Sequence, residues 1–371
     1  MPIVHILLGK ANPNRANGVN KVVNELARSQ HQLGEQVAVW GITPSPEAPT
    51  VARCYPIRFF QAHRNPFKVD GQLIKALHEV NPTTVFHLHG GFIPAFFALH
   101  KWLVRLNLRF IFTPHGSYNH AALSKSSLRK TLYFNCFERS MVNHAKALHL
   151  IGKSELESSH QLPITAAKVL VPNGQNLEDL QFKFEAIGST EGPVFSFCGR
   201  LKTKVKGLDL LLRGFSSFFK ASGKGQLWLI GDGPDRQELE AMATELGIAN
   251  QVVFWGARFG EEKLNLLANS DAFFHPSRYE GLPTAVLEAS GLALPVVVSE
   301  ATNLAEAVAG SQAGYVLQSN TCESIHKACF EILEDKTTGD LKKKGQNGRL
   351  MVASRFSWKQ ISQELIHIYN D

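Results

Sequence analysis

The sequence feature that most constrains the fold is an alternation of short apolar runs with amphipathic stretches. Seven apolar runs of strand length lie between residues 3 and 171, and six more follow from residue 194, with segments of helical periodicity between them. Strands separated by helices pair in parallel, because parallel neighbours need a crossover connection. The sequence therefore predicts an α/β protein with two doubly wound parallel sheets, each covered by helices on both faces.

The length of the chain agrees with two domains, since 371 residues exceed what one ordinary core organises. A polar stretch without clear periodicity, Leu180–Gly192, is the predicted linker. It separates an N-terminal domain, residues 1–180, from a C-terminal domain, residues 193–355. Helical patterns at Lys342–Ser354 and Ser357–Asn370 follow.

Composition favours a soluble globular protein, with 44% hydrophobic and 19% charged residues. No apolar run is long enough to predict a transmembrane helix. Met1–Leu8 has neither a charged segment nor a small-residue cleavage site, so we expect a first β-strand and not a signal peptide. Five scattered cysteines without a CxxC pair favour a reducing compartment over a disulfide framework or a zinc site. These features predict a cytoplasmic protein.

Part of the formal net charge of +7 is concentrated in the first half of the chain. A basic face can contact nucleic acid, an anionic membrane or an anionic substrate. No zinc-finger, RNA-recognition or aromatic-interleaved basic motif occurs, so nucleic acid is not an expected partner. Peripheral contact with the inner face of the cell membrane stays open, as does the simpler alternative of a solvated helix face. The basic residues are Lys101, Arg105, Arg109, Lys125, Arg129, Lys130, Arg139, Lys146 and Lys153.

The segment 275–289 has the pattern of a strand, a turn and the start of a helix. Pro283 suits the first helical position, where its missing N–H has no partner to lose. The N–H groups of Leu282, Thr284 and Ala285 would then lack helical partners. Together with the helix dipole they predict a site for an anion such as phosphate.

Two carboxylates flank this anion site. Glu280 lies in the turn beside Gly281, and Glu288 follows about two helical turns later. Carboxylates accept hydrogen bonds from sugar or ribose hydroxyls, so an anion site with two acids predicts a ligand such as a nucleotide sugar. The alternative is an ordinary strand–turn–helix unit that carries two surface acids.

A basic loop and two further strand ends are expected at the same edge of the second sheet, where ligands of doubly wound folds bind. Gly199 and Arg200 follow one strand, and Lys206 comes six residues after Arg200. Arg200 as a fork and Lys206 as a point charge could both bind a diphosphate, although a basic surface loop is the alternative. Gly231 begins a tight turn, and backbone groups at Trp255 could contact a nucleotide base.

Three strand ends of the first half carry further candidates. Gly18 could let a phosphate approach the backbone, or it could simply start a helix. His115, beside a glycine, is well placed to touch substrate, with a solvent-exposed loop histidine as the alternative. His87 and His89 share one face at a spacing of two, but no third metal ligand is evident, so we favour a structural role for this pair and expect no metal site.

Taken in chain order, these loops resemble those of the retaining glycosyltransferases of the GT-B fold, family 4 type, over nearly the whole chain. The resemblance implies two Rossmann-like domains that face each other across a cleft, with the terminal helix, residues 356–371, crossing back to the first domain. The shared motifs are Gly18, His115-Gly116, Glu138-Arg139, Pro172-Asn173-Gly174, Gly199-Arg200 with Lys206-Gly207, Gly231-Asp232-Gly233-Pro234, Pro276-Ser277, and Glu280 with Glu288.

The resemblance also implies roles. Glu280 would contact hydroxyls of the donor sugar and Glu288 those of the ribose. Arg200 and Lys206 would neutralise the departing diphosphate, and His115 would face the transferred sugar. The implied catalytic residues are His115, Arg200, Lys206 and Glu280, and the implied donor-binding residues are Gly18, Gly199, Gly231, Trp255, Gly281, Leu282, Pro283, Thr284 and Glu288.

Three positions depart from the family pattern. Asn17 precedes Gly18 where many members have a second glycine, one extra residue separates Arg200 from Lys206, and Asn303 stands where a Gly-rich turn is common. None of these changes removes a charged group from the predicted site.

The predicted function is retaining transfer of a hexose-type sugar from a nucleotide diphosphate sugar to a glycan or lipid-linked acceptor, in polysaccharide or lipopolysaccharide biosynthesis. We expect no cofactor, and a UDP-sugar ahead of a GDP-sugar. The alternatives are a non-catalytic nucleotide-sugar-binding protein and a nucleotide-sugar epimerase of the same fold. The acceptor would be selected by two loops of the first domain, Gln61–Asp70 and Tyr118–Lys130, which no motif decodes.

Overall fold

The computed structural model describes residues 1–12, 18–46, 52–124, 127–188 and 190–371. Two of the sequence candidates, Asn17 and Lys125, lie outside the described residues. The chain divides into two compact units. The first unit comprises Met1–Asn173 and Trp358–Asp371, and the second unit comprises Gly174–Ser357.

The first unit contains a seven-stranded sheet in which every pairing is parallel, with strand order β3-β2-β1-β4-β5-β6-β7. Its two edges grow in opposite directions from β1 and β4, so the gap between these strands is the topological switch point. The strands are β1 (Pro2–Leu8), β2 (Gln36–Thr43), β3 (Ile57–Gln61), β4 (Val85–His89), β5 (Arg109–Thr113), β6 (Ala147–Leu150) and β7 (Ala167–Leu170).

Helices connect these strands, and the last helix of the chain belongs to the first unit. In this last helix Trp358, Ile361, Leu365 and Tyr369 are buried in the same core cluster as Val23 and Leu26 of the first helix. The helices are α1 (Gly18–Gln32), α2 (Gly71–Glu79), α3 (Pro94–Arg105), α4 (His120–Ser124), α5 (Ser127–Tyr133), α6 (Arg139–His144), α7 (Lys153–His160) and, at the end of the chain, α16 (Trp358–Asn370).

The second unit repeats the architecture with a six-stranded parallel sheet of order β10-β9-β8-β11-β12-β13. Here β8 and β11 flank the switch point. The strands are β8 (Val194–Cys198), β9 (Gln226–Ile230), β10 (Val252–Gly256), β11 (Ala272–His275), β12 (Val296–Ser299) and β13 (Gly314–Leu317). The helices are α8 (Thr203–Lys206), α9 (Leu208–Ser222), α10 (Arg236–Glu245), α11 (Gly260–Ala268), α12 (Thr284–Gly291), α13 (Ala305–Gly310), α14 (Cys322–Thr338) and α15 (Asp340–Arg355).

The prediction of two doubly wound parallel sheets is confirmed. All residues of β4, β8 and β12 are buried, as expected for parallel strands that helices cover on both faces. Among the described residues, no helix is both long and apolar enough to cross a bilayer.

Three local predictions differ from the structure. The apolar periodicity of Lys125–His144 predicts a single helix, but a π-helical turn, Phe134–Glu138, separates α5 from α6. Pro283 is not the first helical residue but precedes it, because α12 begins at Thr284. Finally, the stretch Leu180–Gly192 belongs to the second unit, where backbone N–H groups of Glu185 and Ile187 donate to side chains of α11 and its C-terminal end.

Candidate active site

The carboxyl ends of β8 and β11 bring the basic loop and the Glu280 turn together. These strands are neighbours in the sheet, with Ala272 opposite Phe195. The segment Gly199–Lys206 therefore leaves the sheet beside the segment that follows His275. Loops at this switch point are where doubly wound folds bind ligands.

One carboxylate oxygen of Glu280 is the centre of this site. Its Oε1 accepts hydrogen bonds from the Lys206 ammonium, from Nε2 of His275 at 3.0 Å and from Oγ of Ser277 at 3.1 Å. Burial alone would raise the pKa of Glu280, but the His275 hydrogen bond and the Lys206 charge outweigh burial and lower this pKa to about 2. Glu280 is therefore a fixed negative charge at neutral pH.

His275 is a neutral donor in this cluster. Its side chain is 1% exposed, and burial lowers its pKa despite the neighbouring Glu280. A neutral ring that donates from Nε2 has no proton on Nδ1. The sequence candidates included Glu280 and Lys206 but not His275, which was assigned only to the strand.

A glycine allows the basic loop to approach β11 so closely. Gly207 has φ +67°, and a Cβ at this position would lie 2.0 Å from the carbonyl oxygen of Pro276. Only glycine fits such a left-handed, crowded position. The same contact region is held by the Arg278 N–H, which donates to the carbonyl of Val205 at 2.8 Å, and by a bidentate pair between Arg278 and Asp209.

Asn303 fixes the Glu280 turn from the other side. Its φ of +60° is the left-handed conformation that a glycine would otherwise supply. Its side-chain amide donates to the carbonyls of Glu280 and Gly281, at 3.1 and 2.6 Å. Asn303 thus provides both the left-handed turn and two hydrogen bonds that hold the Glu280 turn.

The start of α12 offers unpaired N–H groups, as the sequence predicted. In the described part of the chain, the N–H groups of Leu282, Thr284 and Ala285 make no hydrogen bond to a protein acceptor, and no side chain caps the helix. A helix N-terminus of this kind favours an anion.

The second acid is held by a lysine that the sequence did not indicate. Glu288 is 3% exposed, and its Oε2 lies 2.7 Å from Nζ of Lys263 on α11. Lys263 and Glu288 are 25 positions apart and lie on different helices, so no local pattern connects them.

Three further candidates of the second unit are Arg200, Gly231 and Trp255. Arg200 is exposed. Gly231 has φ +143°, and a Cβ there would lie 1.9 Å from the carbonyl oxygen of Gly199, so these two strand ends touch through their backbones. The Trp255 carbonyl accepts a hydrogen bond from Nε of Arg258 at 3.0 Å. A backbone group that the sequence predicts to contact a nucleotide base therefore has a protein partner.

Gly18 and His115 belong to the first unit. Gly18 is exposed and begins α1, directly after residues outside the described ranges. His115 follows β5 with φ +52°, a conformation that is uncommon for a residue other than glycine and is often found at functional sites. Its Nε2 lies 2.9 Å from Nδ1 of His89.

The pair His87 and His89 does have a third histidine beside it, contrary to the sequence expectation. Strand pairing places His5 opposite His87, and one ring nitrogen from each of the three residues lies within 4.8 Å of the others. Both ring nitrogens of all three histidines are hydrogen-bonded within the protein. These bonds account for the cluster without a metal ion, and the expectation of no metal site stays a prediction.

Comparison with known proteins assigns both halves of the chain to one class. Residues 16–179 match the family model Glycosyltransferase Family 4, and residues 179–351 match the model Glycosyl transferases group 1. Each half of the chain thus matches a glycosyltransferase model, and the chain has the two-domain GT-B fold.

Individual relatives are distant. A GDP-mannose-dependent alpha-(1-6)-phosphatidylinositol monomannoside mannosyltransferase of Mycolicibacterium smegmatis is 29% identical over 182 residues, which are 47% of each chain. The GT-B chain thus spans about half the length of this relative. Sucrose-phosphate synthase from Thermosynechococcus elongatus has a TM-score of 0.78 at 19% identity, over 100% of this chain and 98% of the other. Anabaena Alr3699/HepE, solved with UDP and glucose, has a TM-score of 0.77 at 17% identity, over 100% and 99%. At these identities the solved structures show a shared fold.

Proposed function

We propose that the GT-B chain transfers a hexose from a nucleotide diphosphate sugar to an acceptor with retention of the anomeric configuration. The observation that carries this proposal is the Glu280 cluster at the switch point of the second sheet. It combines a fixed carboxylate for sugar hydroxyls with a lysine ammonium for the diphosphate, beside the N–H groups at the start of α12.

The cluster allows Lys206 to exchange Glu280 for the diphosphate as its partner when the donor binds. His275 and Ser277 hold Glu280 Oε1 independently of Lys206. The Lys206 ammonium can therefore turn from Glu280 towards the β-phosphate while the carboxylate stays in position. Glu280 then accepts hydrogen bonds from the sugar, and Lys206, with Arg200, stabilises the negative charge that develops on the leaving diphosphate.

This proposal involves no metal ion or cofactor, because Lys206 and Arg200 supply the positive charge that a divalent cation supplies in other transferases. Activity should then survive EDTA. Loss of activity with EDTA and its recovery with Mg²⁺ or Mn²⁺ would contradict this part of the proposal.

Sugar transfer from a panel of UDP- and GDP-hexoses tests the main proposal. Lys206→Ala and Glu280→Ala should each lower kcat/KM by roughly 100-fold or more, as removal of a charge-stabilising donor does in other enzymes. Lys204→Ala is the matched control, since Lys204 is an exposed lysine of the same short helix. Equal effects of Lys204→Ala and Lys206→Ala would refute the assignment.

The donor is best identified by a thermal-shift screen. A donor that binds the native protein raises the melting temperature by mass action, and a sugar nucleotide with the wrong base does not. We propose a UDP-sugar, and a shift with GDP-mannose alone would replace it. Calorimetric binding without turnover would instead indicate a non-catalytic binder, and interconversion of the donor sugar an epimerase.

We further propose a glycolipid acceptor at a membrane surface. The name of the mannosyltransferase relative specifies a lipid-linked acceptor. On α5 of this chain, Leu128 and Leu132 are 82% and 64% exposed, and Arg129 lies exposed between them. One helical turn of exposed leucines with a basic residue suits the interface of an anionic bilayer.

Flotation with phosphatidylglycerol-containing vesicles tests the membrane contact. Leu128→Ser with Leu132→Ser should lower the bound fraction, while Leu350→Ser, an equally apolar residue that is 67% exposed in the second unit, should leave it unchanged. Equal binding of all variants would refute this surface.

A further inference from the structure

A continuous chain of hydrogen-bonded polar side chains, the histidine file, begins at His115 and runs into the interior of the first unit. Nε2 of His115 lies 2.9 Å from Nδ1 of His89, and Nε2 of His89 lies 2.9 Å from Nδ1 of His5. Nε2 of His5 lies 2.7 Å from Oε1 of Gln30. The side chains of His89, His5 and Gln30 are at most 2% exposed, so these groups are shielded from solvent.

The file continues beyond Gln30. Its Nε2 lies 3.3 Å from the hydroxyl of Tyr369, which lies 2.7 Å from Nδ1 of His87. Nε2 of His87 lies 2.6 Å from Oγ1 of Thr113, which in turn lies 2.7 Å from Nδ1 of His149. All of these groups are buried.

The inner end of the file has a fixed direction. Nε2 of His149 lies 2.8 Å from the carbonyl oxygen of Val171, which can only accept, so His149 carries its proton on Nε2. Burial lowers the pKa of His149 to about 4, so the ring is neutral and its Nδ1 is an acceptor. Thr113 must therefore donate its single hydroxyl proton to His149.

The direction of the hydrogen bond from Thr113 to His149 also fixes the directions of the next hydrogen bonds. Thr113 has no second proton, so it accepts from Nε2–H of His87. Burial keeps His87 neutral by lowering its pKa, and its Nδ1 accepts from the Tyr369 hydroxyl. The Tyr369 oxygen can then only accept, and it accepts from the amide nitrogen of Gln30.

The same logic excludes a rotated Gln30 amide. With the amide reversed, Tyr369 would donate to Gln30, and His87 would have to donate from Nδ1. Its bare Nε2 would then require a proton from Thr113, whose only proton is already given to His149. The Gln30 carbonyl oxygen therefore faces His5, and a choice that is usually ambiguous is settled by the Val171 carbonyl.

We propose that this hydrogen-bonded file fixes His115 as the Nε2–H tautomer, so that its Nδ1 is a pure acceptor for a substrate hydroxyl. His5 donates to Gln30 and accepts from His89, and His89 accepts from His115. Burial lowers the pKa of His5 to about 4 and that of His115 to about 3, so each ring carries one proton.

The tautomer has a chemical consequence for recognition, which rests on the proposed function. A bare Nδ1 accepts a hydrogen bond from the hydroxyl of a sugar. It repels a phosphate oxygen, because the nitrogen and the phosphate oxygen are both acceptors. His115 would then select a sugar hydroxyl. Thr113, Gln30 and His5 are positioning residues that act through His115.

Nitrogen NMR of ¹⁵N-histidine-labelled full-length protein tests this proposal without any substrate. Long-range ¹H–¹⁵N spectra distinguish protonated from bare ring nitrogens, and His115→Gln assigns the His115 signals. The expected result is a protonated Nε2 and a bare Nδ1 for His115. A protonated Nδ1 in the wild-type protein would overturn the proposal.

Thr113→Val tests the role of the file. Without the hydroxyl, the Val171 end no longer constrains Gln30, and the His115 signals should move towards a mixture of both tautomers. Thr113→Ser keeps the hydroxyl and should retain the wild-type spectrum. An unchanged His115 tautomer in folded Thr113→Val would overturn the proposal, and should that variant not fold, the wild-type tautomer alone decides.

A kinetic measurement separates this inference from the proposed function. With the true donor, Thr113→Val should lower kcat/KM by roughly tenfold, the value of one hydrogen bond, while Thr113→Ser stays within about twofold. An enzyme that transfers sugar with equal kcat/KM in both variants overturns the recognition role of the tautomer. If no sugar is transferred but the NMR result holds, the proposed function fails and the tautomer assignment stands.

Discussion

Substitution of Gly207 by alanine should destabilise the second unit and disable Lys206 together. At φ +67° an added Cβ costs about 1–2 kcal/mol for the left-handed conformation. The Cβ would also lie 2.0 Å from the Pro276 carbonyl oxygen, so the loop must move by about 1 Å or more. Such overpacking costs about 1–3 kcal/mol in addition.

Gly223 offers a matched control with the same φ. It ends α9 at φ +67°, but in the described part of the chain no atom beyond its immediate chain neighbours lies within 4 Å of its ideal Cβ position. Gly223→Ala should therefore cost only the conformational part, about 1–2 kcal/mol. In a unit of this size each kcal/mol lowers the melting temperature by about 2–4 °C, so the extra cost of about 1–3 kcal/mol should make Gly207→Ala melt roughly 2–12 °C below Gly223→Ala.

Scanning calorimetry and a donor-binding titration measure both consequences. Movement of the Gly207 loop displaces Lys206 from Glu280, so Gly207→Ala should also weaken donor binding, and Gly223→Ala should not. Melting temperatures within about 1 °C of each other would show that the loop relaxes freely, and the argument that Pro276 and Gly207 fix the position of Lys206 would then be wrong.

Three further predictions concern groups around the site. Lys263→Met removes the ammonium beside buried Glu288 and should cost about 3 kcal/mol in urea unfolding, against under about 1 kcal/mol for Lys327→Met, whose partner Glu331 is exposed; equal costs would contradict the buried-pair argument. The pKa of Glu280 falls from 4.5 to about 2 on folding, so its contribution of about 3 kcal/mol is present above pH 4.5 and is lost as the pH falls towards 2; Glu280→Gln should flatten this acid limb of stability, and an unchanged limb would exclude Glu280 as its source. Asn303→Gly keeps the left-handed turn but loses two hydrogen bonds and should cost about 1–2 kcal/mol, with Asn303→Ala costing about 1 kcal/mol more; equal stability of the two variants would show that the φ of Asn303 carries no strain.

The elements of the fold were predictable because each is encoded locally. The apolar runs Val194–Cys198 and Ala272–His275 predict two strands, and β8 and β11 have these same bounds in the structure. Continuous apolar runs bounded by glycine, proline or polar residues leave little choice of period. The helix prediction over Lys125–His144 failed in detail because a π-helical turn changes the hydrogen-bond step without changing the apolar pattern.

The sequence also predicted that Glu280 and Lys206 lie close together, because both follow strands at one switch point, and the structure places them in contact. It did not identify their partners. His275 read as the last residue of an apolar strand, and Lys263 as one lysine among many on a helix. Lys263 is 25 positions from Glu288, and the turn that returns Glu280 to His275 is irregular, so no local periodicity predicts either pair.

The histidine file shows most clearly which features the sequence determines and which the tertiary structure decides. The spacing of His87 and His89 places both on one face of β4, and this much is a local property. That His5 lies opposite His87 follows from strand register, and that Tyr369 reaches His87 across 282 positions follows from the packing of α16 into the first unit. Local periodicity determines which elements form because it acts over a few residues, whereas proton positions depend on which distant groups become neighbours, and only the packed tertiary structure decides that.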